Sequence, residues 1–174
     1  MGSVSFCGER RSFLAITIVF LILFGSRVAP AQSARTDYSA SVGASPYDLS
    51  GTGTASVFGL AMDTELAPFL LVESGIRFFS YKSQFSDRIS YLLPEFSIKF
   101  LPLKKALTPY LAVGGGIAAS VQGPGETNLA LHTALGLRAR LHAGVFLQTE
   151  ARLRSIDPWT GSTLDLTFGI GRSF

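Results

Sequence analysis

Cysteine is nearly missing from this chain of 174 residues: the one thiol is Cys7. Everything beyond it can hold neither a disulfide nor a thiolate metal site. Histidine is almost as scarce. His132 and His142 stand alone, too few and too far apart in sequence to assemble a metal centre. Charge is thin as well: 16% of residues are charged and 47% hydrophobic, against roughly 25% charged in an ordinary soluble domain. A chain so poor in charge has no clustered basic face for nucleic acid. A phosphate loop is also lacking, because Gly114-Gly115-Gly116 has neither the lysine nor the following helix that would cradle phosphate. No cofactor is expected. After residue 31 no apolar run approaches the about 20 residues of a transmembrane helix. The apolar content must therefore be distributed in some other pattern.

The first 31 residues differ from the rest. Arg10 and Arg11 precede an apolar core at 14–24 (LAITIVFLILF), and Ala29-Pro30-Ala31 supplies small residues before Gln32. These are the three parts of a secretory signal, with cleavage expected after Ala31, Ala29 being the other small residue read by the peptidase. The core is too short for a bilayer anchor. Cys7 lies before the core, so it is not placed for lipoprotein acylation. Arg10-Arg11-Ser12-Phe13-Leu14 resembles a twin-arginine signal, but the greasy core favours the general secretory route. The expected organisation is a signal peptide over 1–31 and one domain over 32–174. Losing Arg10, Arg11, Arg27 and Glu9 with the leader lowers the formal charge from +3 to +1.

Beyond the leader, apolar residues recur with a period of two, the mark of a strand with two unlike faces. Leu129, Leu131, Thr133, Leu135, Leu137, Ala139 and Leu141 alternate with Ala130, His132, Ala134, Gly136, Arg138 and Arg140. Val145, Leu147, Thr149, Ala151 and Leu153 alternate with Gln148, Glu150, Arg152 and Arg154; Leu164, Leu166, Phe168 and Ile170 alternate with Asp165, Thr167, Gly169 and Gly171. A helix would set Arg152 and Arg154 about 200° apart, whereas a strand gathers them on one side. Five earlier segments, at 38–45, 54–62, 69–81, 89–100 and 109–121, repeat the pattern. The result is eight strands of about the 9–11 residues that a tilted membrane strand needs, and eight is the smallest common closed membrane barrel. Polar, Gly- and Pro-containing stretches separate them. Four at 46–53, 82–88, 122–128 and 156–161 are expected on the outer side. Three at 63–68, 101–108 and 142–144 are expected on the side of the termini.

Periodicity does not say which face is inside. A soluble lipocalin-like barrel binding an apolar ligand turns its apolar face inward; a membrane barrel turns it out, because lipid cannot satisfy polar groups. Composition decides. The polar faces hold Gly, Ala and Ser with isolated charges of both signs, unlike a water-facing surface rich in Lys and Glu. The charges also pair across neighbouring strands: Arg77 with Glu95, Glu73 with Lys99, Arg138 with Glu150, and Asp165 with Arg152 and Arg154. Buried charges are tolerable only when paired. These nine residues are expected to form a structural charge network in a narrow lumen, with Ala112, Gly114, Gly116 and Ala118 leaving room for the arginines. Tyr38, Phe100 and Phe174 fall outward near one rim, where interfacial aromatics belong. Trp159 lies in the last outer loop.

The C-terminal run Leu166-Thr167-Phe168-Gly169-Ile170-Gly171-Arg172-Ser173-Phe174 resembles the β-signal of outer-membrane proteins, with Phe168, Ile170 and the terminal Phe174 in the alternating apolar positions. Arg172 departs from the aromatic or aliphatic residue usual at its place. With the leader and eight strands, the chain resembles the small outer-membrane barrels of the OmpA-transmembrane and OmpX-like type. The resemblance implies an all-β, closed, antiparallel, up-and-down eight-stranded transmembrane barrel in the outer membrane of a Gram-negative-type bacterium. It further implies outer-membrane lipids as surroundings, and the barrel assembly machinery and periplasmic chaperones as partners during biogenesis. A monomer is expected, with a structural or loop-mediated binding role. An eight-stranded interior is filled by side chains, so a general porin is not. The alternative within this architecture is a lipid-A-modifying enzyme. One such deacylase family uses a His, a Ser two residues on and an acid, all on the lipid-facing surface. Here His132 is followed by Ala134, and both His132 and Glu150 fall on the inward face by parity, so no catalytic residue is assigned.

Overall fold

The computed structural model describes residues 35–46, 54–82, 88–103, 105–122, 127–156 and 162–174. The leader, its cleavage residues Ala29 and Ala31, and most of the four outer loops including Trp159 lie outside the described residues. The elements are β1 (Thr36–Pro46), β2 (Thr54–Ala67), β3 (Leu70–Lys82), β4 (Arg88–Phe100), β5 (Leu107–Gln122), β6 (Thr127–Arg140), β7 (Val145–Ile156) and β8 (Ser162–Ser173). Each strand pairs antiparallel with the next, and β8 returns to β1 through eight residue pairs from Asp37↔Ser173 to Ala44↔Leu166. The fold is a closed eight-stranded antiparallel barrel in up-and-down order. Closure removes the open edges that an eight-stranded sheet would otherwise expose.

The alternation read from the sequence is the alternation of exposure. On β6, Leu129, Leu131, Leu135 and Leu137 are exposed while Ala130, His132, Ala134 and Arg138 are buried. On β8, Leu166, Phe168 and Ile170 are exposed and Asp165 is fully buried. Large apolar side chains thus cover the outside of the cylinder, and the inside holds the charges.

Most strand ends shift by a residue or two from the expected segments, and two of the expected turns on the side of the termini are shortened by strands that run into them. The sequence expectation has Asp63 at the start of a turn over 63–68. In the structure β2 continues to Ala67, past a register shift between Glu65 and Ala67. Asp63 sits in the strand with its side chain in the lumen, 3.0 Å from Lys99 Nζ, and that ion pair outweighs local preference. The turn expected at 101–108 likewise shortens as β5 begins at Leu107. The remaining turn on this side, His142–Gly144, matches the expected residues and reverses the chain through two consecutive positive-φ residues, Ala143 (φ 58°) and Gly144 (φ 76°). Glycine meets that demand without strain; alanine does so at some cost.

Inside, aromatic rings lie over glycines on adjacent strands. Tyr110 faces Gly136 and Phe146 faces Gly171 in register, and a Cβ on either glycine would fall within the ring beside it. The absent side chains give the rings their place, a known device for stiffening a sheet at glycine.

Candidate functional site

The lumen is where chemistry-bearing side chains converge. Eleven buried charged residues of the described chain face it: Arg77, Lys99, Arg138, Arg152 and Arg154 against Asp37, Asp63, Glu73, Glu95, Glu150 and Asp165. All nine charged residues singled out from the sequence are among them. Arg35 at the rim adds a sixth cation, 3.1 Å from Asp37, so the charges balance.

They form a ladder of alternating sign along the barrel. At the end carrying the termini, Arg138 Nη1 donates to Asp37 (2.8 Å) and its Nη2 to Asp63. Lys99 bridges Asp63 and Glu73, at 3.0 and 2.6 Å. Arg152 joins Glu73 (2.9 Å), Glu150 (2.8 Å) and Glu95. Arg154 continues from Glu95 (2.9 Å) to Asp165 (3.0 Å). Arg77 braces the middle by holding Glu95 (2.5 Å) and Glu150 (2.9 Å), and the Tyr110 hydroxyl donates to Glu150 at 2.8 Å. Arginine suits this work because its planar fork donates in several directions at once.

Of the four expected pairings, one is replaced and one is met by a single arginine of the two. Arg138 meets Asp37 and Asp63 rather than Glu150, and Asp165 pairs with Arg154 while its register neighbour Arg152 turns to the glutamates. The reason is reach. Pairing read from adjacent strands ignores that a long side chain in a narrow cylinder crosses to the far wall, as Arg138 of β6 does to β1 and β2.

Apolar side chains pack in the lumen with the ladder. Toward the loop end, Val57, Phe79, Leu93, Ala118 and Ala130 pack with Tyr91 and Ile156 in the interior. Toward the terminal end, Leu71, Leu101 and Tyr110 form a second cluster, and the Phe146 ring lies 4.2 Å beneath the Arg138 guanidinium. Ala118 and Ala130 fall on the inward face expected from the sequence, whereas Phe79, Leu93, Leu71 and Phe146 were not singled out; their even spacing from Arg77, Glu95, Glu73 and Glu150 on the same strands was the available signal.

His132 is inside, as parity required. Its Nε2 lies 2.8 Å from Ser97 Oγ, and its Nδ1 lies 3.9 Å from Glu95. On paper this is a Ser-His-Glu arrangement. Ser97 has no exposed surface, however, and also hydrogen-bonds Glu73 at 3.1 Å. A nucleophile needs room for a reacting atom about 3 Å away, and Ser97 offers no accessible surface to one. The small stripe opposite gives His132 and Glu95 their space: a Cβ on Gly114 would meet His132 Nε2 at 2.8 Å, and one on Gly116 would meet Glu95 Cβ at 3.0 Å.

On the outside, Tyr38, Phe100 and Phe174 are exposed at the terminal end, with Tyr38 and Phe174 edge to face at 5.8 Å and Phe69 and Phe100 at 6.0 Å. Phe168 and Ile170 are also outward.

No protein-family model and no curated protein sequence matches the chain. Solved structures do. Neisserial surface protein A is similar with a TM-score of 0.65 at 12% identity, covering 84% of this chain and 100% of that one. Ail, the attachment invasion locus protein of Yersinia pestis, gives 0.61 at 15%, covering 82% and 100%. The N-terminal β-barrel domain of OprF from Pseudomonas aeruginosa gives 0.59 at 12%, covering 81% and 98%. These are small outer-membrane barrels, and theirs is the class of fold this chain adopts. At such identities the likeness is one of architecture.

Proposed function

We propose that this protein is an integral outer-membrane barrel that stiffens the envelope or displays its outer loops as a binding scaffold, with a lumen closed by its own side chains. The observation that carries the reading is the inversion of faces. Leu60 (67% exposed), Leu135 (60%) and Ile170 (54%) stand outside while Arg152, Arg154 and Asp165 are completely buried. In water that arrangement is unstable twice over; in hydrocarbon both halves are favourable. The buried charge ladder and the apolar residues packed with it support a solid interior rather than a pore. The burial of Ser97 and His132 supports a non-enzymatic role, and the neighbours of the same fold support residence in the outer membrane.

On this reading residues 1–31 direct export by the general secretory route, and the outward Phe168, Ile170 and Phe174 serve as the assembly signal for periplasmic chaperones and the barrel assembly machinery. The test is fractionation of the expressed full chain. Recovery in detergent-extracted outer membrane, with a band that shifts on boiling, is expected; recovery in the soluble periplasm overturns the proposal. In planar bilayers the protein is expected to give no steady conductance.

A further inference from the structure

One residue of the C-terminal run, Arg172, has no part in the lumen or in the apolar signal. It shares the outward face of Phe168 and Ile170 and is exposed. Its register partners are Tyr38 on β1 and Val145 on β7. The guanidinium lies 5.3 Å from the centre of the Phe174 ring, which itself meets Tyr38 edge to face. A cation is thus held between interfacial aromatics at the rim of the apolar belt.

Further along the same outer face lies an open groove of about 690 Å³ that reaches from Pro109 on β5 to Val42 on β1 and is centred on β6 to β8. Its origin is a step in side-chain size. On β7 the outward residues Thr149 and Ala151 are small, and their register neighbours are Leu137 and Leu135 on β6 and Phe168 and Leu166 on β8. Larger flanks over a small floor make a trough.

Distances relate the two features. Phe168 is four residues and Leu166 six residues from Arg172, so the groove begins about 13 Å and extends about 20 Å along β8. At a strand tilt of about 40° these are depths of about 10 and 15 Å. Half of a hydrocarbon core of about 30 Å is about 15 Å. A basic group at headgroup level and a trough ending at mid-membrane on one strand face have the dimensions of one lipid.

We propose that Arg172 and the β6–β8 groove hold a single glycerophospholipid, its anionic phosphate on Arg172 and one acyl chain over Thr149 and Ala151. This rests on the reading of the outer face as lipid-facing. The charge is complementary, and the groove is continuous with the apolar belt that lipid would cover.

The protein extracted from membranes in mild detergent is incubated with dioleoyl phosphatidylglycerol, and retained lipid is counted by native mass spectrometry. Boiling-dependent mobility verifies folding of every variant. Wild type is expected to retain one lipid. Arg172→Gln is expected to lower retention about fivefold, the contribution of one basic group near an anionic surface, and Ala151→Leu, which fills the trough, to lower it comparably. Lys105→Gln, which removes an exposed cation between β4 and β5, is expected to leave it unchanged. Retention by Arg172→Gln or Ala151→Leu equal to wild type overturns the proposal, as does an equal loss in Lys105→Gln. Preference for lipid A over phosphatidylglycerol overturns the assignment to a glycerophospholipid. A barrel that inserts but keeps no lipid refutes this inference alone; a protein that never reaches the membrane refutes the reading beneath it.

Discussion

Replacing Arg152 by methionine is the most demanding perturbation of the lumen. Its guanidinium donates to Glu73 at 2.9 Å and Glu150 at 2.8 Å, and pairs with Glu95; methionine keeps much of the volume and removes the charge. Two unit charges about 4 Å apart interact by about 4 kcal/mol at an effective dielectric near 20, so three contacts set a gross loss of about 12 kcal/mol. Against this stands the desolvation of the guanidinium, several kcal/mol, which the variant no longer incurs. The acids also keep other partners: Lys99 for Glu73, Arg77 and Arg154 for Glu95, Arg77 and Tyr110 for Glu150. The expected net loss is about 3–5 kcal/mol, the range for removing one partner of a buried pair. Equilibrium urea unfolding in lipid vesicles measures it. With a slope of about 2 kcal/mol per molar, the midpoint falls by about 2 M. The double variant Arg152→Met with Glu73→Gln should lose about 1–2 kcal/mol less than the two single changes together. A loss below about 1 kcal/mol for Arg152→Met, or additivity within about 0.5 kcal/mol, would refute the ladder as an energetically coupled unit.

Gly136→Val drives a side chain into the Tyr110 ring and should cost about 1–3 kcal/mol through overpacking, visible as a lower unfolding midpoint; unchanged stability contradicts the ring-over-glycine packing. Leu135→Arg, in mid-belt, should destabilise the bilayer-inserted barrel by about 2–4 kcal/mol, and Val121→Arg, near the loop end of β5, by about 0–1 kcal/mol. Equal costs at both positions would contradict the depth assigned to the belt. Asp165→Asn leaves Arg154 with Glu95 alone and should cost about 1–3 kcal/mol, less than Arg152→Met; the reverse order would misplace the centre of the network.

The period-two pattern made the barrel legible because parity is a property of one strand at a time. Arg152 and Arg154 fall on one face whatever surrounds them, and so do Leu164, Leu166 and Phe168. What the sequence could not supply was anything decided across the lumen. Asp37 lay outside every expected strand, and Asp63 was read as a turn residue. Yet both hold Arg138, because the cylinder is narrow enough for a β6 side chain to reach β1 and β2. Tyr110 and Phe146 were not singled out either. Phe146 shares the parity of Glu150 and Arg152, but β5 carries no charge to mark Tyr110 as inward, and the glycines that seat the two rings, Gly136 and Gly171, lie on neighbouring strands.

A filled interior could in principle have been apolar throughout, and buried ion pairs often add little stability over hydrophobic replacements. Register gives a physical reason for the charges. A slip of one residue turns a strand's inward set to the outside. For β7 it would carry Glu150, Arg152 and Arg154 into the belt and bring Leu147 and Leu153 inward. Each arginine at mid-membrane costs about 2–4 kcal/mol, so the two alone cost about 4–8 kcal/mol, comparable to the whole stability of an ordinary domain. The ionic partners left behind on β3 and β4 would lose their cations as well. An all-apolar interior would make the same slip nearly free, because leucine is at home on either side. The ladder therefore makes the correct register of an antiparallel barrel far better than its neighbours. Val57, Phe79 and Leu93 in one cluster and Leu71, Leu101 and Tyr110 in the other fill the lumen around the charges that enforce it, which keep almost no exposed surface.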